Sequence, residues 1–158
     1  MKALPECRFV VPRNMKLHLC CFGCGYDPLC NDSKLVFLRC FSHEDGWNDY
    51  VDSCVSLYSF NNDSWRDLQV AELRQRYFCF ELFSFNNSYL NGVCYWIARR
   101  KMDFKHVVVS YDISNEVFQE MNLPTPDPDF EISMLEVVND SLCLLFGGNS
   151  NLSIWIMR

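Results

Sequence analysis

The chain lacks most of what marks a specialised class. It has no run of about 18 apolar residues, the least a membrane-spanning helix needs. Its opening residues, Met1-Lys2-Ala3-Leu4-Pro5-Glu6, carry no apolar stretch of the signal-peptide kind. Alanine, the commonest helix former, occurs three times. Basic residues are outnumbered: 14 Lys and Arg against 20 Asp and Glu leave a formal charge of −6. An acidic surface repels phosphate backbones, and no stripe of Lys and Arg interleaved with aromatics offsets it. Neither nucleic acid nor a membrane is therefore an expected partner. Histidine is sparse, with His18, His43 and His106 in separate segments, and no G-x-S-x-G elbow is present. Gly147-Gly148 lacks the strand, helix and lysine of a phosphate cradle. Asp45 and Asp49 could form a carboxylate pair, but a solvated polar loop accounts for both. The expected protein is not an enzyme and uses no cofactor.

What is present favours strands. The 158 residues suffice for one domain with a sizeable core. Hydrophobic residues make up 49% and aromatics 15%, which sets disorder aside for the bulk of the chain. Phe, Tyr, Trp and the many Val, Ile and Leu residues suit pleated, half-buried surfaces. Ten cysteines without a signal peptide read as reduced, buried thiols in the cytoplasm rather than as a disulfide framework.

Along the chain, β-prone runs alternate with polar turns. Short runs at Cys7–Val11 and Lys16–Phe22 precede Gly23-Cys24-Gly25-Tyr26-Asp27-Pro28, whose glycines admit positive φ or close backbone approach. Ser33–Phe41 is apolar on both parities, as expected of a strand covered on both faces. Ser42–Asp52 is a long polar loop. Cys54–Phe60 and Trp65–Leu68 form a hairpin across Asn61–Ser64. Gln69–Arg76 is the one credible helical turn, and Tyr77–Phe85 is strand-like. Leu90–Pro124 is a three-strand meander, and strands at Ile132–Val138, Ser141–Phe146 and Leu152–Met157 close the sequence. Trp65 and Trp96 are expected in the core.

The organising fact is repetition. Tyr58 and Trp65 lie seven apart, as do Tyr111 and Phe118, each pair bridging a polar turn; the copies are offset by 53 residues. Asn91-Gly92-Val93-Cys94 and Asn139-Asp140-Ser141-Leu142 correspond at an offset of 48. Periods near 50 with several strands per unit mark β-propeller blades. The expected fold is all-β: antiparallel meanders forming about three kelch-like blades, too few to close a ring, since propellers typically use about four to eight. A plain antiparallel sandwich with accidental likeness between hairpins is the competing architecture.

Several segments in order resemble one family. They are Gly23-Cys24-Gly25-Tyr26-Asp27-Pro28 with Asn31-Asp32-Ser33-Lys34-Leu35-Val36, then Val55–Phe60 with Ser64-Trp65-Arg66-Asp67-Leu68, then Asn91-Gly92-Val93-Cys94-Tyr95-Trp96. Ser110–Phe118, Asn139–Leu142 and Ile154–Met157 continue the match. Together they resemble the plant F-box-associated domain, and the last three look most like its S-locus F-box type. The resemblance implies a single domain over residues 1–158, incomplete at both ends, with propeller-like sheets that recognise a protein substrate for a cullin–RING (SCF-type) ubiquitin ligase. S-locus members bind basic S-locus ribonucleases in self-incompatibility, and a charge of −6 agrees in sign with such a partner. The family's adaptor is bound through an F-box, which has no counterpart in these residues, so adaptor binding carries over to none of them. A truncated decoy without a ligase role is the alternative. The family's usual phenylalanine is replaced at Cys24, and the loop after Phe41 is short. The cytoplasm, with the nucleus as a second compartment, is the expected location.

Two sets of site residues follow. Loops carry recognition, so Glu44, Asp45, Trp47, Asp49 and Tyr50 are the candidate contacts to a partner. The chemical alternative is zinc: Cys21-Phe22-Gly23-Cys24 is a C-x-x-C, and Cys40-Phe41-Ser42-His43 is a C-x-x-H. Cys21, Cys24, Cys40 and His43 could close a tetrahedral site, although buried thiols explain the cysteines as well.

Overall fold

The computed structural model describes residues 3–43, 50–81, 88–123, 131–147 and 151–157. Their order is β1 (Met15–Asp27), β2 (Asp32–His43), β3 (Tyr50–Ser59), β4 (Ser64–Leu68), α1 (Ala71–Arg76), β5 (Tyr77–Glu81), β6 (Ser88–Leu90) and β7 (Val93–Arg100). Then come β8 (His106–Asp112), β9 (Val117–Asn122), β10 (Glu131–Val138), β11 (Ser141–Gly147) and β12 (Leu152–Met157). They make three antiparallel sheets. The first is β1-β2-β3-β4, the middle one β5-β7-β8-β9 and the third β10-β11-β12. β5 pairs with the end of β7 and β6 with its start, so the two share one edge.

The repeats seen in the sequence are equivalent places in consecutive sheets. Tyr58 sits directly opposite Trp65, and Tyr111 directly opposite Phe118. Their ring centroids are 5.1 and 4.5 Å apart, within the range of favourable aromatic pairs. Asn91-Gly92 and Asn139-Asp140 both join hairpins with positive φ at each residue (49° and 86°; 48° and 56°). Two-residue turns of that handedness match the twist of the strands they connect, and Asn, Asp and Gly tolerate them best.

The sheets stack face to face, and strand alternation decides which side chain goes where. From β7, Cys94, Trp96 and Ala98 join Val107, Val109 and Tyr111 of β8 in a core against the first sheet. That sheet supplies Cys21, Val36, Leu38, Cys40, Val55 and Leu57. The intervening residues Ile97 and Val108 point the other way, into a second core with Ile132, Leu135, Leu142, Leu144 and Phe146. The middle sheet is therefore covered on both faces, and a two-layer sandwich does not describe the chain. Three stacked meanders form part of a β-propeller.

Close approach of the first two sheets depends on Gly23 and Gly25. A Cβ on Gly23 would lie 2.8 Å from Cys94 Sγ and Trp96 Cζ2; one on Gly25 would lie 2.3 Å from Ile113 Cδ1 and Tyr89 Cε2. Of the strand expected over Tyr77–Phe85, Tyr77–Glu81 is present as β5, and residues 82–85 lie outside the described ones. Some expectations need correction. Cys7–Val11 is not a strand but an irregular strap, because β1 begins only at Met15. Trp96 is buried, but Trp65 is only half-buried, since it lies on the face of the first sheet turned away from the middle one.

Candidate interaction surfaces

The candidate contacts Glu44, Asp45, Trp47 and Asp49 lie outside the described residues, between the end of β2 and the start of β3. Tyr50 opens β3 opposite Ser42. Near the start of β3, Asp52 Oδ1 pairs with Arg74 Nε of α1 at 3.2 Å.

The four proposed metal ligands are not brought together. In the β1–β2 register Cys24 faces Leu35, whereas His43 faces Met15. Eight positions of β2 separate Leu35 from His43, about 26 Å along an extended strand. Ligands of one zinc ion need donor atoms within about 4 Å of each other. Cys21 and Cys40 are buried in the first core, while Cys24 is exposed. Burial pushes the Cys40 thiol up to about 11, and that of Cys94 to about 12, so both stay protonated near neutrality. Among the described residues no cluster of three or more His, Cys, Asp or Glu side chains could hold a metal ion.

At the turn end of the first sheet, polar residues tie two sheets together. Buried Asp27 accepts a hydrogen bond from Lys34 Nζ at 2.6 Å, from Ser114 Oγ at 2.7 Å, from the Leu29 N–H at 2.9 Å and from the Cys30 thiol at 2.9 Å. Burial alone would raise its carboxyl, but hydrogen bonds from Cys30, Lys34, Ser114 and Leu29 hold it well below the usual carboxylate range. Glu116, on the turn between β8 and β9, pairs with Arg66 of β4 and lies 3.6 Å from Lys34 Nζ. A cavity of about 330 Å³ sits here, lined by Cys30, Asp32, Lys34, Leu57 and Arg66 among others. Its two cations, Lys34 and Arg66, are already paired with Asp27 and Glu116. The arrangement is a clamp between blades rather than a receptor for an ion.

A larger groove of about 460 Å³ runs between β4–α1 and β9. Val70, Leu73, Tyr77, Val117 and Phe118 give it an apolar lining, with Glu72, Glu116, Gln119 and Glu120 among the polar residues around them. Tyr77 donates a hydrogen bond to Glu120 Oε2 at 2.6 Å, and burial, followed by that carboxylate, raises its phenol well above the usual range. Glu120 also accepts from Arg100 Nη1 at 2.7 Å. Within the described residues β9 pairs only with β8. No sequence pattern marks this surface, because its two walls, residues 69–77 and 116–120, are distant in the chain and meet only when the sheets stack.

Among the described residues no helix is long and apolar enough to cross a membrane. No solved structure matches the chain. An F-box protein and an F-box/kelch-repeat protein of Arabidopsis thaliana are each 30% identical to it over 119 residues, covering 68% of this chain. A further F-box protein of that plant is 29% identical over 118 residues, covering 75% of this chain. The chain spans only 30% of the length of each of these relatives. The profile of the F-box associated beta propeller domain matches residues 3–158. With that span, and with stacked meanders whose turns and aromatic pairs repeat from sheet to sheet, the chain belongs to the F-box associated β-propeller domain family.

Proposed function

We propose that this chain is a non-catalytic protein-interaction module, the substrate-recognition part of an F-box protein serving a cullin–RING ubiquitin ligase of the SCF type. The observation that carries the reading is family membership over residues 3–158, together with relatives named as F-box proteins. The geometry is in keeping with it: rigid stacked sheets present connections and grooves at their ends. Adaptor binding is assigned to no residue of this chain and would fall to an F-box.

The target is a basic protein, as the charge of −6 favours. Its contacts are Glu44, Asp45, Trp47, Asp49 and Tyr50. For an S-locus-type receptor the target is a basic S-locus ribonuclease, met in the cytoplasm or nucleus. The experiment is interferometry of the purified chain against basic ribonucleases of that class and acidic proteins of similar size. The reading expects binding to a basic ribonuclease that weakens with salt and with the triple substitution Glu44→Lys, Asp45→Lys, Asp49→Lys. Binding unchanged by the triple substitution would remove the loop from the interface; no binding to any basic ribonuclease would remove the S-locus target.

A further inference from the structure

The outer face of the first sheet holds a cation that its surroundings do not fully satisfy. Arg39 is completely buried (0% exposed), in the middle of β2. Its guanidinium lies between the Phe9 ring, 4.2 Å from the centroid, and the Phe37 ring, 5.0 Å away. Nη1 reaches Cys7 Sγ at 3.4 Å, and Nη2 donates to Ser56 Oγ. Nε has no hydrogen-bond partner among the described residues. Among the described residues its one paired carboxylate is Asp67, at 3.9 Å, and that side chain is 65% exposed. Taking a cation out of water costs several kcal/mol unless partners replace the lost hydration, so a buried guanidinium with an empty donor and a distant counter-charge is an incomplete site.

The strap at residues 3–14 completes the burial and does so loosely. It forms no strand. Trp65 Nε1 donates to the Pro5 carbonyl at 2.9 Å, Cys7 touches Arg39, and Phe9 packs on Arg39 and on Phe41, with ring centroids 6.2 Å apart in the latter pair. Cys7 and Phe9, two residues apart, thus both turn their side chains to the sheet, the spacing of same-side residues in an extended peptide. On the same face, among the described residues, Phe22 is 58% and Tyr26 47% exposed. Phe37, which stacks under Arg39, is opposite Phe22 in register. Aromatic and arginine side chains on one face are the usual anchors of protein interfaces.

We propose that this face is an interaction surface distinct from the 44–50 connection. Its occupant is an extended segment of a partner protein that carries a carboxylate two residues before an aromatic. The strap is an internal stand-in for that segment. Phe9 occupies the aromatic position, while Cys7 occupies the carboxylate position with a neutral thiol, which leaves Arg39 short of a counter-charge. A partner segment of this kind displaces the strap and pairs Arg39 directly.

The test uses synthetic peptides of the sequence Leu4–Val11 in which the Cys7 position is Asp, Asn or the native Cys. Binding is measured by fluorescence anisotropy to the full chain with Phe9→Ala, which loosens the strap; circular dichroism confirms that this variant is folded. The Asp peptide is expected to bind roughly ten-fold or more tightly than the Asn and Cys peptides, the scale of a charge-assisted hydrogen bond. The same substitution made within the chain, Cys7→Asp, is expected to raise the melting temperature and to weaken capture of the Asp peptide by a similar factor. Equal affinities of the Asp and Asn peptides, or binding of none, would overturn the proposal. So would a fall in melting temperature on Cys7→Asp. These outcomes leave the 44–50 surface unaffected, because that surface is tested by its own substitutions.

Discussion

Gly25→Ala is the most economical perturbation of the blade-to-blade contact. The residue sits in β1 opposite Lys34, where the first sheet leans on the middle one. An added Cβ would lie 2.3 Å from Ile113 Cδ1 and from Tyr89 Cε2, and 2.7 Å from Tyr89 Cδ2. No carbon pair tolerates such distances, so one of these side chains or the strand must move. Neither can yield freely: Ile113 is fully buried, and the Tyr89 hydroxyl donates to the Tyr26 carbonyl at 3.1 Å and accepts from the Tyr26 N–H at 3.3 Å. Overpacking a close-packed site costs about 1–3 kcal/mol. Replacing Gly by Ala returns about 0.4–1 kcal/mol by restricting the unfolded chain. The net expectation is a loss of roughly 1–2 kcal/mol, or about 2–8 °C in melting temperature for a domain of this size. Differential scanning calorimetry reads it. Ile113→Val removes the atom nearest the new methyl, so the double variant is expected to recover part of the loss in a double-mutant cycle. A Gly25→Ala chain that melts at or above the wild-type temperature would refute the close packing of β1 on the middle sheet.

Two further outcomes follow from buried polar groups. The Tyr111 hydroxyl is buried in the first core without a hydrogen-bond partner among the described residues, while its ring packs on Phe118. Tyr111→Phe keeps the ring and removes an unsatisfied group, so it is expected to raise stability by about 1 kcal/mol in urea unfolding; a loss of that size would show that the hydroxyl is bonded. Asp27 has its carboxyl held low in the folded chain. Its contribution is complete above the unfolded value of about 3.9 and disappears as pH falls through that value towards the lower folded one. Asp27→Asn is therefore expected to flatten the fall in melting temperature between about pH 5 and pH 2 relative to wild type. Parallel acid limbs would place the linkage elsewhere.

How much could be read from the residues depended on the range of the forces involved. Alternation, turn chemistry and cross-strand pairs are local, and they show directly in the spacing of Tyr58 with Trp65 and in Asn91-Gly92. The repeat of such units at offsets of 53 and 48 carried the propeller reading to three sheets. The glycines before Tyr26 admitted either positive φ or close approach; only the fold shows that it is close approach, by Tyr89, Ile113 and Trp96. Ser33–Phe41 read as covered on both faces, but nothing in it showed that a strap some 30 residues earlier, with no periodic pattern, would cover Arg39 as deeply as Val36. Trp65 looked like core for the same local reasons as Trp96; which face of the first sheet meets its neighbour is a tertiary fact. The zinc alternative failed on register: C-x-x-C and C-x-x-H are local motifs, and only the β1–β2 pairing shows that Cys24 and His43 lie far apart. The groove between β4–α1 and β9 joins elements that no sequence window contains together.

The reading of this chain as a recognition module is tested most directly by hydrogen–deuterium exchange of the full chain with and without a basic S-locus ribonuclease. The account predicts slowed exchange over residues 43–52, with no change in the β7 and β8 amides, which are already protected by the stacked sheets. Exchange unaltered over residues 43–52 in the presence of saturating ribonuclease would contradict it.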